Sequence, residues 1–178
     1  MGVLEKFVQI FTGSDVAYGD WVQDRDPKAY TRHGKVTEKH YEDHIKGVVG
    51  LGVIPVNSQG LSVFGAIDID IDTIDHKLLQ ETVTKSGLPL HVCRSKSGGA
   101  HLYIFARAPG IPASQLRQML GMYAAALGYP NAEIFPKQNR SSEDNVGNWI
   151  NLPYMGGDSS FAFYLPLRYG QEYRVALT

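Results

Sequence analysis

Apolar residues recur at helical spacing in four stretches of the chain and in short runs at strand spacing elsewhere. Val3, Leu4, Phe7, Val8, Ile10 and Phe11 fall three and four apart, which predicts a helix closed by Gly13. Thr37 and Glu38, followed by Tyr41 and Ile45, predict a second short helix ending at Gly47. With Asp75 as N-cap, residues 76–86 read as a third, closed by Gly87. Pro112 opens a fourth that carries Leu116, Met119, Leu120, Tyr123 and Leu127, and residues 128–131 end it. Strands are predicted over residues 51–56 and 61–71, joined as a hairpin by the turn Asn57-Ser-Gln-Gly60, and then over 90–94, 101–106, 133–135, 148–154 and 161–165. Residues 13–35, rich in Gly, Asp, Lys, Arg and aromatics, read as an irregular surface segment. This order of elements predicts an α/β or α+β domain with a largely antiparallel or mixed sheet.

Composition narrows the class. A chain of 178 residues with 43% hydrophobic positions buries a sizeable core, so one domain spanning residues 1–178 is expected. The ending Val175-Ala-Leu-Thr178, soon after a strand, suggests a piece of a longer protein. No apolar stretch reaches the roughly 20 residues of a bilayer span, and no basic segment leads into an apolar one at the N-terminus. No membrane partner is therefore expected. Cys93, the single cysteine, excludes an internal disulfide framework and a cysteine-based zinc cluster, which suits a cytoplasmic setting. With 17 Lys plus Arg against 18 Asp plus Glu, any nucleic-acid binding must come from local clusters rather than net charge.

The segment Ala66-Ile-Asp-Ile-Asp-Ile-Asp72 is the most informative. Strand alternation puts Ile67, Ile69 and Ile71 on one side and Asp68, Asp70 and Asp72 on the other. Successive carboxylates then start roughly 6 to 7 Å apart, close enough to raise one another's pKa unless a cation intervenes. Aspartate also disfavours strands, so the pattern opposes folding unless it is used. Hard divalent cations such as Mg²⁺ or Mn²⁺ resolve both difficulties, binding carboxylate oxygens together with phosphates. An EF-hand does not fit, because its sixth and twelfth positions hold Thr73 and Leu79.

The loop Arg94-Ser-Lys-Ser-Gly-Gly-Ala-His101 suits an anion. Gly98 and Gly99 permit close backbone approach, Ser97 donates, and Lys96 and Arg94 carry positive charge. Its adjacent glycines and following strand set it apart from a Walker A loop. His101 is placed to donate to a phosphate oxygen or to act as an acid on a pyrophosphate leaving group. Glu133 supplies a third carboxylate for a two-metal cage, and Lys137, Gln138 and Arg140 beyond it suit phosphates or a template strand. Asn148 and Asn151, three apart, reach one site only if the backbone bends there; Trp149 and Tyr154 read as core or base-stacking residues.

Asp68-Ile-Asp70, Ser97-Gly-Gly-Ala-His101 and a later strand acid resemble the three motifs of the archaeo-eukaryotic primase superfamily. Within that superfamily the chain more closely resembles primase-polymerase domains of bacterial mobile elements, phages and TOTE conflict systems. The likeness extends to Ile10-Phe-Thr-Gly13, Gly50-Leu-Gly-Val-Ile-Pro55, residues 94–105, Glu133-Ile-Phe-Pro-Lys-Gln138 and Gly147-Asn-Trp-Ile-Asn-Leu-Pro153. The resemblance implies an RRM-like antiparallel sheet with flanking helices and an N-terminal αβ module. It implies that Asp68 and Asp70 bind metals, with Asp70 and Asp72 as the alternative pair, that Ser97 and His101 hold a triphosphate, and that Glu133 is the third acid. Implied partners are single-stranded DNA, deoxynucleoside or nucleoside triphosphates, and a helicase or C-terminal domain in a longer protein. No zinc is expected in this segment. Two rival readings use the same residues: a metal-dependent phosphohydrolase or nuclease, and a noncatalytic RRM-like module that an acidic sheet face argues against.

Overall fold

A computed structural model describes residues 2–22 and 28–157, together with the backbone of 163–164. Helix α1 (Val3–Ile10) is followed by strands β1 (Ala17–Trp21) and β2 (Ala29–His33), helix α2 (Glu38–Ile45), and strands β3 (Gly50–Val53), β4 (Leu61–Ser62) and β5 (Phe64–Ile69). Next come α3 (His76–Lys85), β6 (His91–Arg94), β7 (Ala100–Phe105), β8 (Ile111–Pro112), α4 (Ala113–Ala126), β9 (Glu133–Phe135), β10 (Ile150–Asn151) and β11 (Phe163–Tyr164). The remainder of the strand expected over 161–165 lies outside the described residues. Among the described residues no helix is long and apolar enough to cross a membrane.

The strands form a four-stranded sheet ordered β10-β3-β1-β2, a five-stranded sheet ordered β11-β6-β7-β5-β9, and the small pair β4-β8. All pairings are antiparallel. Within the larger sheet the sequence β5-α3-β6-β7-α4-β9 with spatial order β6-β7-β5-β9 is the split βαβ arrangement of RRM-like folds. The expected α+β class and RRM-like sheet are therefore present.

Period-two alternation divides the larger sheet cleanly. Ile67, Ile69, Val92, Ala100 and Leu102 face Leu79 and Val83 of α3 and Leu116, Leu120 and Ala124 of α4. Each such fully buried aliphatic side chain contributes on the order of 1.5–3 kcal/mol. Phe64, Ala66, Tyr103 and Phe135 face the other way, into a core shared with Phe7 and Phe11 near α1, Tyr41 of α2, and Leu51, Val53 and Ile150 of the four-stranded sheet. Phe11 is fully buried and packs edge-on against Phe64, Tyr103 and Phe105 at ring distances of 5.3, 5.4 and 5.4 Å. The two sheets thus meet over an aromatic layer.

Three expectations are corrected. Residues 13–35 are not irregular: they contain β1, alternately buried between β3 and β2, and the exposed edge strand β2. The turn at residues 57–60 forms as its chemistry dictates, with Asn57 Oδ1 accepting from the Gln59 and Leu61 amides at 3.0 and 2.9 Å, but it does not close a hairpin. β3 joins the four-stranded sheet, β4 pairs with β8, and β5 crosses into the larger sheet. Finally, β5 ends at Ile69, so Asp70 lies just beyond it and Asp72 sits in the turn before α3. The three aspartates do not share a strand face. The alternation fails at Ile71, whose side chain is 44% exposed where Ile67 and Ile69 are sealed.

Candidate active site

Antiparallel register builds the site. Asp68 on β5 stands opposite His101 on β7 and opposite Glu133 on β9, so the three side chains lie in one row across the sheet. Directly opposed residues have Cβ atoms about 4.5–5.5 Å apart. The row sits at the end of the face whose other part is packed against the four-stranded sheet.

His101, 7% exposed, places Nε2 3.4 Å from Asp68 Oδ1 and Nδ1 3.1 Å from the Tyr103 hydroxyl. That hydroxyl donates to the Asn151 carbonyl at 2.7 Å, so toward the imidazole it accepts, and the ring proton is on Nδ1. Burial lowers the His101 pKa to about 4 against a smaller opposing effect of the Asn151 carbonyl, so at neutral pH Nε2 is a bare acceptor. Asp68 is raised to about 6, first by burial and then by the charges of Asp70 and Glu133, with Lys137 opposing. A lone pair and a carboxylate face each other with no proton between them above pH 6. Expected to meet phosphate, His101 turns its two ring nitrogens to Asp68 and Tyr103.

The loop between β6 and β7 stands beside this row. Ser95 N–H donates to Gly99 O at 2.9 Å and Gly98 N–H to Ser95 O at 3.1 Å, closing a tight turn in which Gly98 takes φ +98°. The Gly98 amide expected to cradle an anion is therefore spent inside the loop. A Cβ on Gly99 would lie 2.3 Å from Ile69 O, so only glycine lets the loop rest against the end of β5. His76 at the start of α3 fixes it from behind, donating through Nε2 to Gly99 O at 2.8 Å. Ser97 Oγ is 3.1 Å from Ser95 Oγ, and Arg94, Lys96 and Ser97 are exposed.

Other expected residues separate into groups. Glu133 is exposed and pairs with Lys137 at 2.9 Å, so Lys137 stands with the acids and not with the loop. Gln138 Nε2 donates to Asn148 Oδ1 at 2.6 Å, and Asn148 N–H returns a bond to Gln138 Oε1 at 3.0 Å. Arg140 is exposed; Asp72 is exposed, apart from the Asp68, Asp70 and Glu133 side. Asn151 is parted from Asn148 and borders His101 instead.

Two clefts flank the Asp68–His101 pair. On the loop side a narrow cleft with room for about one water-sized group is bordered by Trp21, Arg94, Ser95, Lys96, His101 and Asn151. Among the described residues Trp21, 6% exposed, leaves its Nε1–H without a partner, and Asn151 Oδ1 is likewise buried and unpaired. Lys96 Nζ lies 4.6 Å from the Trp21 ring centre. Sequence reasoning missed Trp21 because it lay within the stretch read as irregular surface. On the other side, Asp68, Asp70 and Glu133 open onto a wider cleft walled by residues 128–132.

The model of the TOTE conflict system archaeo-eukaryotic primase domain matches residues 19–160. The chain belongs to that family. No curated protein matches it. As a primase domain it is of nucleotidyltransferase type, and its substrates are of the nucleotide and nucleic-acid classes.

Family membership implies a divalent cation, and the donor chemistry suits one: three carboxylates, with Asp68 held unusually high partly by its two acidic neighbours. Among the described residues no three His, Cys, Asp or Glu side chains are already gathered around a common point. Asp68 is turned toward His101 and Glu133 toward Lys137, and releasing those two contacts frees the oxygens.

Proposed function

We propose that this primase domain is a template-dependent nucleotidyltransferase that joins nucleoside triphosphates on single-stranded DNA. The observation that carries this reading is the juxtaposition of the Asp68, Asp70 and Glu133 carboxylates with a cationic, hydroxyl-bearing loop across a single pair, the half-buried Asp68 and the buried His101. Carboxylates and cations kept apart this way hold opposite ends of a reacting triphosphate.

Lys96, Arg94 and Ser97 hold the β- and γ-phosphates, and the Trp21 indole N–H offers a further donor at the base of their cleft. Asp68, Asp70 and Glu133 would hold the Mg²⁺ or Mn²⁺ ions, which supply charge neutralisation at the α-phosphate and lower the pKa of the attacking hydroxyl. His101 stands beside Asp68: with Nδ1–H tied to Tyr103, its bare Nε2 is an acceptor for the proton that Asp68 carries or takes from the attacking hydroxyl. A 3′-oxygen forms its bond to the α-phosphorus as the bond to the bridging oxygen breaks. Pyrophosphate departs, and the hydroxyl proton passes through the carboxylate cluster to water.

Incubation with single-stranded DNA, nucleoside triphosphates and Mn²⁺, followed by product sizing, tests the proposal. Template-directed extension or dinucleotide synthesis that disappears in Asp68→Asn supports it. Release of inorganic phosphate or DNA fragments without extension identifies a hydrolase, and equal activity in the variant removes these carboxylates from the chemistry.

A further inference from the structure

Carboxylates and a cationic loop act on one triphosphate only if the distance between them is held, and the start of α3 is placed to hold it. Residues 70–75 lead from the end of β5, past Asp70, into that helix. The glycine loop rests against the same stretch: a Cβ on Gly99 would meet Ile69 O at 2.3 Å and Asp70 Cα at 3.3 Å, and one on Gly98 would lie 3.8 Å from Asp72 O. Contact of this kind prevents overlap but does not prevent the loop from lifting away. A hydrogen bond does. The half-buried His76 donates from Nε2 to Gly99 O at 2.8 Å, and the same carbonyl accepts from Ser95 N–H at 2.9 Å. Gly99 O thus closes the loop's internal turn and fastens that turn to α3.

The helix is itself firmly seated. Leu79 and Val83 are sealed in the core beneath the sheet, and Asp75 Oδ1 caps the first turn by accepting from Leu78 N–H at 2.9 Å. Gln80 follows His76 by four residues on the same helix face and accepts through Oε1 from Val92 N–H of β6 at 3.3 Å. α3 therefore grips the strand that enters the loop and the residue that leaves it. We infer that His76 is a positioning residue for the transfer reaction: by tying Gly99 O to the helix that follows Asp70, it sets the spacing of carboxylates and loop cations, so that metal ion and triphosphate strengthen each other's binding. This rests on the nucleotidyltransferase reading and adds to it a residue that acts through the loop and not on the phosphates.

Equilibrium binding of a nonhydrolysable nucleoside triphosphate, with and without Mn²⁺, tests the inference. The ratio of the two affinities measures the coupling, and chelation in solution is common to all variants and cancels between them. His76→Ala should lower the ratio roughly tenfold while triphosphate binding without Mn²⁺ stays within about twofold. Incorporation at saturating triphosphate should fall by up to about a hundredfold, the scale of a misplacement of about 1 Å. Glutamine carries its amide nitrogen where the imidazole has Nε2 and asparagine falls short, so His76→Gln should restore the ratio and His76→Asn should not. If His76→Ala does not fold, this Gln–Asn contrast decides in the same way. A ratio unchanged in folded His76→Ala or His76→Asn, or not restored in folded His76→Gln, overturns the inference and leaves the nucleotidyltransferase reading standing. So does loss of Mn²⁺-free triphosphate binding with the ratio kept, which would make His76 a direct phosphate ligand. Wild-type protein that binds no triphosphate even with Mn²⁺ defeats both.

Discussion

On the helix side of the five-stranded sheet, Ile67, Ile69, Val92 and Leu102 are sealed under α3 and α4. On the opposite side, one residue away along the same strands, stand Asp68 and His101, and among the described residues no α-helix borders the clefts beside them. The first face is built from interchangeable apolar volume whose removal costs stability. The second is built from groups that repel or mismatch one another, and their arrangement contributes little to holding the fold. One strand therefore carries both demands because its side chains alternate, and substitutions one residue apart should separate them.

The largest effect is expected at Asp68. Asp68→Asn should reduce nucleotide incorporation by about a thousandfold, the scale for losing a group that acts electrostatically at the reacting centre. Its thermal midpoint should stay level or rise, because a carboxylate that burial and two acidic neighbours oppose has been removed. A large fall in stability would mean that the acidic face supports the fold after all.

Ile67→Ala should do the opposite. Cavity formation at a fully buried isoleucine costs about 2–5 kcal/mol, visible as a lower denaturant midpoint with the slope unchanged. The fraction still folded should retain wild-type KM for the triphosphate. If KM shifts as strongly as stability, the two faces are coupled more tightly than their alternation suggests.

A third measurement sharpens the contrast by pH. His44, buried in the N-terminal half, donates through Nε2 to Pro153 O at 2.8 Å and accepts from Leu51 N–H at 3.0 Å, using both nitrogens of a neutral ring. Burial lowers its pKa to about 4, partly offset by the Pro153 carbonyl. Between pH 6.5 and 4 the unfolded chain binds the proton that the folded chain refuses. Its contribution to stability is complete above 6.5 and declines on acidification, with a limiting slope of about 1.4 kcal/mol per pH unit. Asp68 runs the other way: its raised pKa gives a contribution present at low pH and lost as pH rises through about 6. Chemical denaturation of wild type and His44→Gln across this window isolates the histidine, and identical slopes in the two proteins would contradict the assignment.

The smallest effect belongs to the Glu133–Lys137 pair. It is largely exposed on the carboxylate side, so Lys137→Met should change stability by less than about 1 kcal/mol. Freeing Glu133 should tighten Mn²⁺ binding, measured by calorimetry; weaker binding would place Lys137 in the site as a positive contributor.

Much of this was legible because it is local. Helix caps, strand alternation, the order of acid, glycine loop and histidine, and the family itself stand in consecutive residues. What the sequence reading missed depends on partners far along the chain. β1 hides its strand character because its inward positions include Gly19, kept small since Trp149 lies over it and over Gly52. Trp149 also donates from Nε1 to Thr31 Oγ1 on β2 at 3.2 Å, binding three distant segments. The turn at residues 57–60 could be recognised, but not that its two flanks enter different sheets. Trp21 and the 128–132 wall were overlooked for the same reason: each acquires meaning only from what folding places opposite it.

The bond from Tyr103 to the Asn151 carbonyl joins β7 of one sheet to β10 of the other. Through that hydroxyl, the proton position on His101, and so which nitrogen it turns bare toward Asp68, is dictated by a peptide group belonging to the opposite half of the molecule. Neither half is a catalyst in waiting. Prising the sheets apart by even the length of one hydrogen bond releases the imidazole to choose its own tautomer, so the docking of the two halves is itself written into the protonation state of the site.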